Sequence, residues 1–335
     1  MAKYVCEMCG YEDVSQENGG YVCLACGYKS VPNITNGNND AETEADRLKR
    51  ERQKEIERIV AEKKKKYIKT GITVVASCIC AVIAFIIILN SPPVKYSKAM
   101  SAIEKQDYVK AYEILITIEN YKDSATKIDN IKPDYHIALM KNASVGDIVK
   151  FGAYEQDGNF ANGKEDIEWE ILSKEGNKVL LLSKNVLDEQ PYHTTDIDIT
   201  WAKCSLRTWL NSTFYNNAFN TLCQDYIATT LVAPSTVSNK TNPGTATNDK
   251  VFLLSDKELE KYVPDRYDRV QGETKHCGYT TCWWLRTTGQ YQSSACTVWR
   301  YAVNNKESYI GTIADWQDVD ESWNGVCPAI WVELD

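Results

Sequence analysis

The chain has 335 residues, 43% of them hydrophobic and 25% charged, a composition that belongs to folded proteins and excludes wholesale disorder. The length suits two ordinary domains. A formal charge of −8 argues against a general nucleic-acid binder, so no nucleic acid is expected as a partner.

These averages conceal differently composed parts. Residues 1–28 contain Cys6-Glu7-Met8-Cys9-Gly10 and Cys23-Leu24-Ala25-Cys26-Gly27, two matched knuckles separated by thirteen residues. Each pair offers two thiolates at one end of a hairpin, and two such ends complete a tetrahedral site for zinc on Cys6, Cys9, Cys23 and Cys26. Four thiolates leave no open coordination position, so the zinc expected here is structural. Tyr4, Tyr11, Tyr21 and Tyr28 flank the cysteines and are expected to cover a very small core, too small to fold without metal. The pattern resembles the short zinc ribbons at the N-termini of many bacterial membrane proteins. That resemblance covers residues 3–28 and implies a folding and interaction unit, with a cytosolic protein as its partner.

Residues 29–46 read as a polar linker, with Asn33, Asn36, Asn38 and Asn39 around Gly37. Residues 47–67 intersperse Glu with Lys and Arg on every face and read as a solvated, charged helix. Residues 68–90 read as a transmembrane helix. Thr70 to Leu89 is twenty residues without a charge, about 30 Å of helix and enough for a bilayer core. Lys54, Arg58, Lys63, Lys64, Lys65, Lys66 and Lys69 precede it, against only Lys95, Lys98 and Lys105 over a similar distance beyond. The positive-inside rule therefore places the N-terminus in the cytosol and residues 90–335 outside the cell membrane, as a single-pass protein. Residues 1–90 carry a net charge of +1 and the remainder −9.

Residues 94–143 repeat apolar positions at helical spacing: Tyr96, Ala99, Met100 and Ile103, then Ala111, Leu115 and Ile118. Asp123-Ser124 is placed to cap a third helix and Pro133 to open a fourth at its first turn. The pattern resembles one and a half tetratricopeptide-like repeats. That is too few for a free-standing solenoid, so a spacer packed against the next domain is expected.

Residues 145–335 read as α+β. Asp147–Gly152 and the alternation Ile167, Trp169, Ile171 predict strands. Lys178–Ser183 follows Glu175-Gly176-Asn177 as a hairpin partner. Ser205 is expected to cap a helix bearing Leu206, Trp209 and Leu210. Val251–Leu254 reads as a buried strand, Asp256–Tyr262 as a helix, and Trp283–Arg286 and Cys327–Leu334 as late core strands. The segments between them read as loops rich in Asn, Ser, Tyr and Trp, with Trp323 and Trp331 expected to be buried.

The ordered elements DIVKFGAYEQ, IEWEILSKEGNKVLLLSKN, SLRTWLNSTFYNNAF, VFLLSDKEL, WWLRT and GVCPAIWVEL resemble an uncharacterised domain family of bacterial surface proteins. The resemblance implies the C-type-lectin-like fold of formylglycine-generating-enzyme relatives and of retroelement-diversified binding proteins. That family usually has Arg before the proline of its last strand, where Cys327 stands here. Zinc ribbon, single span, helical spacer and this domain form a familiar bacterial layout.

The resemblance implies a scaffold whose loops bind. Tyr291, Trp299, Tyr301, Asn304, Asn305, Tyr309, Trp316, Trp323 and Asn324 crowd the stretch before the last strand. Of these Tyr291, Trp299, Tyr301, Asn304, Tyr309 and Trp316 are the expected ligand-binding residues, because rigid aromatics add contact area at low entropy cost. Asp315, Asp318, Asp320, Glu321 and Asn324 offer hard oxygens for calcium, or form a solvated acidic loop. Catalytic signatures are missing: there is no HExxH, GxSxG or phosphate-binding glycine loop. His136 reads as a structural histidine. Arg207 and Arg286 read as ion-pair partners within the core. Cys204, Cys223, Cys277, Cys282, Cys296 and Cys327 permit disulfides in an exported domain, with Cys277–Cys282 the favoured pair. The leading expectation is a membrane-anchored, non-enzymatic binder or sensor for a glycan, cell-wall fragment or protein. Its alternatives are an exported enzyme of the formylglycine-generating type and a signalling adaptor acting through the zinc ribbon.

Overall fold

The computed structural model describes residues 6, 8–9, 14–17, 20–30, 44–272, 274, 282–303 and 308–335. The chain divides into two compact units, Met1–Ala84 and Phe85–Asp335.

In the first unit, β1 (Val14–Glu17) and β2 (Gly20–Cys23) form an antiparallel hairpin in which Val14 faces Cys23. The charged helix runs into the apolar stretch, as expected, and the two form one continuous helix, α1 (Glu44–Leu89). Nothing in the sequence breaks it: there is no proline, and its one glycine, Gly71, costs only about 1 kcal/mol. The Thr70 and Thr73 hydroxyls donate back to the carbonyls of Lys66 and Lys69 at 2.9 Å. The apolar stretch is long enough to cross a membrane, and none of it is buried among the described residues.

In the second unit, Pro92 and Pro93 open α2 (Pro92–Glu104), where a missing N–H costs nothing. Asp107 caps α3 (Tyr108–Ile116) by accepting from the Lys110 N–H. Ala99, Ala102, Ala111, Leu115, Ile118 and Ile131 form their small core. The two short helices expected next are a single one, α4 (Ser124–Asn142), with Pro133 inside it. Proline removes one helical hydrogen bond. Here Ile131, Pro133, Ile137 and Met140 are all buried, and that burial outweighs the lost bond. The Lys174 ammonium closes the C-terminus of α4 by donating to the carbonyls of Met140, Lys141 and Ala143. Ile137 and Met140 join the main hydrophobic core, so α4 packs into the following domain.

That domain runs β3 (Ile148–Tyr154), β4 (Glu165–Glu175), β5 (Lys178–Ser183), β6 (Asp188–Glu189), α5 (Ser205–Trp209), α6 (Tyr215–Ala218), α7 (Thr221–Gln224), β7 (Thr230–Val232), β8 (Thr247–Asp249), α8 (Asp256–Tyr262), β9 (Cys282–Thr288), β10 (Ser294–Val303), β11 (Ser308–Asp318), β12 (Gly325–Val326) and β13 (Ala329–Glu333). One sheet has the order β13-β5-β4-β3 and is antiparallel. A second has the order β11-β10-β9-β12-β6, with β12 parallel to β9. β7 and β8 form a small ribbon. The core lies among these layers and includes Phe151, Trp169, Leu181, Phe214, Phe219 and Trp284.

Three expectations change. The stretch read as loops before the last strand is the long β10–β11 hairpin. Val251–Leu254 is fully buried but joins β13 through a single bridge, Phe252 to Ala329. Cys204, not Ser205, caps α5, its sulfur accepting from the Arg207 N–H.

Candidate metal centre and aromatic surface

The hairpin β1–β2 ends at Cys23 and turns tightly back. The Cys23 N–H donates to the Tyr28 carbonyl at 2.9 Å, and the Gly27 N–H donates to the Cys23 carbonyl at 3.0 Å. Gly27 sits at φ +73°, a left-handed conformation that glycine adopts without cost. This turn brings Cys23 and Cys26 against Cys6 and Cys9. Cys6 and Cys26 sulfurs are 3.8 Å apart, Cys9 and Cys23 sulfurs 3.6 Å, and all four lie within 4.8 Å of one another. Tetrahedral zinc with bonds of about 2.3 Å sets its sulfurs about 3.8 Å apart. The spacing therefore fits a metal such as zinc. The backbone N–H of Cys26 chiefly holds the Cys23 thiol down to about 7, favouring the thiolate that a metal needs. Tyr28 is exposed and covers no core. Tyr4 and Tyr11 lie outside the described residues.

The second arrangement is aromatic. Trp299 of β10 and Trp316 of β11 have ring centroids 5.3 Å apart, and Trp323, in the connection after β11, meets Trp299 edge-on at 5.9 Å. Trp316 is 47% exposed and Trp323 40%. The expected burial of Trp323 fails: its indole packs edge-on against Trp299 and takes no part in the hydrophobic core. Trp331, on β13, is only partly buried. The Trp323 indole N–H donates to the Glu321 carboxylate. Tyr291 is 64% exposed in the turn between β9 and β10. Tyr301 pairs with Ile310 and Tyr309 with Ala302 in the hairpin register. Asn304 and Asn305 lie outside the described residues.

With this geometry in place, the comparison with known families decides the region's assignment. Residues 176–334 match the family model described as a domain of unknown function, DUF6273. They form a DUF6273 domain. No curated protein and no solved structure matches the chain. The match begins in the β4–β5 turn, yet β3 and β4 complete the same sheet in register with β5. The tryptophan trio lies wholly within the DUF6273 domain.

Other expected residues fall into place around it. Arg286 is buried and chelated by Glu258, donating to Oε1 at 2.8 Å and also to Oε2. Burial alone would raise the Glu258 carboxyl, but the hydrogen bond and charge of Arg286 hold it below the usual range. Glu258 also completes a capping box with Ser255 at the start of α8. Arg207 pairs with buried Asp249 at 2.7 Å. Both arginines hold core elements together, as the sequence suggested. Burial pushes the thiol of Cys204 up to about 12 and that of Cys223 to about 11, and raises that of Cys296. These three are protonated, unreactive and outside any disulfide. His276 and Cys277 lie outside the described residues, and with them the favoured Cys277–Cys282 pair.

No three of Asp315, Asp318, Asp320 and Glu321 bring carboxylate oxygens within 4.8 Å of one another, and Asn324 is fully buried. The oxygen cluster expected for calcium is not assembled there. Carboxylates instead gather at Glu155, Asp157 and Glu165 in the β3–β4 connection. The sequence reading passed over that group, although Asp157-Gly158-Asn159 and Asn162-Gly163 are turn signals that bring its members together.

Proposed function

We propose that the chain is a membrane-anchored, non-enzymatic ligand-binding or sensing protein. It displays its C-terminal domain outside the cell membrane, with the N-terminus in the cytosol, and takes a glycan through Trp299, Trp316 and Trp323. The observation that carries this reading is three indoles in mutual contact with two of them broadly exposed. A monomer gains nothing by keeping such rings in water, and exposed aromatic patches mark contact surfaces. Indole faces stack against the C–H faces of sugar rings, and Asp318, Asp320 and Glu321 beside them supply acceptors for hydroxyl groups. The same carboxylates disfavour an anionic polymer. The C-type-lectin-like fold is supported by the order of the sequence elements and by two small sheets joined through long connections. Zinc is the metal supported for the four cysteines, as a structural ion.

The test uses the full chain in detergent, sedimented with isolated cell-wall glycan, against a Trp299→Ala/Trp316→Ala variant whose melting is checked first. Binding is expected to weaken at least tenfold, or about 1.4 kcal/mol. Undiminished binding by a folded variant would remove the site. Absence of glycan binding by the parent chain, with capture of a surface protein instead, would favour a protein ligand.

A further inference from the structure

The apolar run of α1 ends at Leu89 and α2 opens at Pro92. Between them the Asn90 and Ser91 N–H groups donate to the carbonyls of Ile86 and Ile88, so the chain leaves the helix in a closed turn. Tyr96 lies in the second turn of α2. Three chain steps and four helical residues put its Cα within about 17 Å of that of Leu89. The start of the spacer therefore stands beside the exit of the apolar helix.

A cation is held there on two rings. Tyr96 and Tyr121 meet edge to face, with centroids 5.8 Å apart. The Lys122 ammonium lies 4.8 Å from the Tyr96 centroid and 5.5 Å from that of Tyr121. Lys122 sits at φ +51°, a left-handed backbone that is costly for a residue other than glycine. Its ammonium meets no hydrogen-bond acceptor among the described residues. The groups around it are paired. The Tyr96 hydroxyl donates to Asp123 at 2.5 Å, and Lys127 lies 3.8 Å from the same carboxylate. Lys95 donates to the Thr117 hydroxyl at 3.1 Å. Three lysines thus gather around one carboxylate, in a part of the chain whose net charge is otherwise negative. Tyrosine rings and lysines are the side chains that settle at headgroup level beside a span.

We infer that Tyr96, Tyr121 and Lys122 form an interfacial anchor that seats the helical spacer on anionic phospholipid headgroups. The rings lie at headgroup level and the Lys122 ammonium takes lipid phosphate. The spacer is then tied to the bilayer at a second point besides the span. This requires α1 to cross the bilayer but no particular orientation of it, since headgroups flank a span on both sides.

The test is hydrogen-exchange mass spectrometry on the full chain reconstituted in vesicles. Phosphatidylcholine alone is compared with phosphatidylcholine mixed with phosphatidylglycerol. Exchange across residues 92–124 is expected to slow about fivefold in the anionic vesicles, the weight of one lysine at a charged surface. High salt should shrink the difference. Lys122→Gly removes the ammonium and relaxes the left-handed backbone. The variant is expected to melt no lower than the parent and to exchange alike in both lipids. Trp299→Ala/Trp316→Ala should keep the slowing, which separates the anchor from the glycan surface. Equal exchange of the parent chain in both lipids would overturn the inference, and so would a slowing that survives Lys122→Gly. Extraction of the parent chain from the vesicles by alkaline carbonate would remove the span, and the anchor with it.

Discussion

At the scale of single residues, the decisive features are charges and thiols whose surroundings fix their state. Glu258 is held ionised by Arg286, which is 2% exposed. Removing one partner of a buried pair strands the other, so Glu258→Gln is expected to cost about 3–5 kcal/mol, read as a lowered urea midpoint. Cys23→Ser should remove the metal: elemental analysis should give about one zinc per parent chain and much less in the variant. His136 has its ordinary value of 6.5 lowered to about 4, first by burial. The unfolded chain thus takes up a proton before the folded one does. Stability is complete above pH 6.5 and falls as pH drops toward 4, by about 3 kcal/mol. Melting curves of His136→Gln should lose that part of the pH dependence.

At the scale of elements, periodicity succeeded where one face is plainly apolar. Ile167, Trp169 and Ile171 alternate with glutamates, and β4 forms there. Ser255 and Glu258 announce α8, which begins and ends where the sequence placed it. The β10–β11 hairpin was missed because its strands are rich in polar residues and its register shifts between Ala295 and Thr297. That shift hides an alternation whose Tyr, Trp and Thr content favours strands. Pro133 misled for a different reason: local propensity favours a helix start, and tertiary burial overrode it. Gly152 shows what a sequence reading does not expose. It sits at φ +68°, and a Cβ there would meet the Phe219 ring at 2.6 Å. Gly152→Ala is therefore expected to destabilise the domain by about 2–4 kcal/mol, visible as a lower melting temperature.

At the scale of the whole molecule, the layout was legible because its signals are strong and independent: matched CxxCG knuckles, a chargeless run of twenty residues, and a change of net charge across it. The aromatic surface was half legible. Tyr291, Trp299 and Trp316 were singled out by residue type. The meeting of Trp299 with Trp316 and Trp323 depends on the hairpin register and on the chain's path after β11, which composition does not encode. The proposed function needs the C-terminal domain on the far side of the membrane from the cysteines. The measurement that tests this most directly is protease treatment of intact cells expressing the chain with an epitope tag at each end. Loss of the C-terminal tag with survival of the N-terminal tag is the result we predict. Protection of the C-terminal tag until the membrane is opened would contradict it, and would place the tryptophan surface in the cytosol.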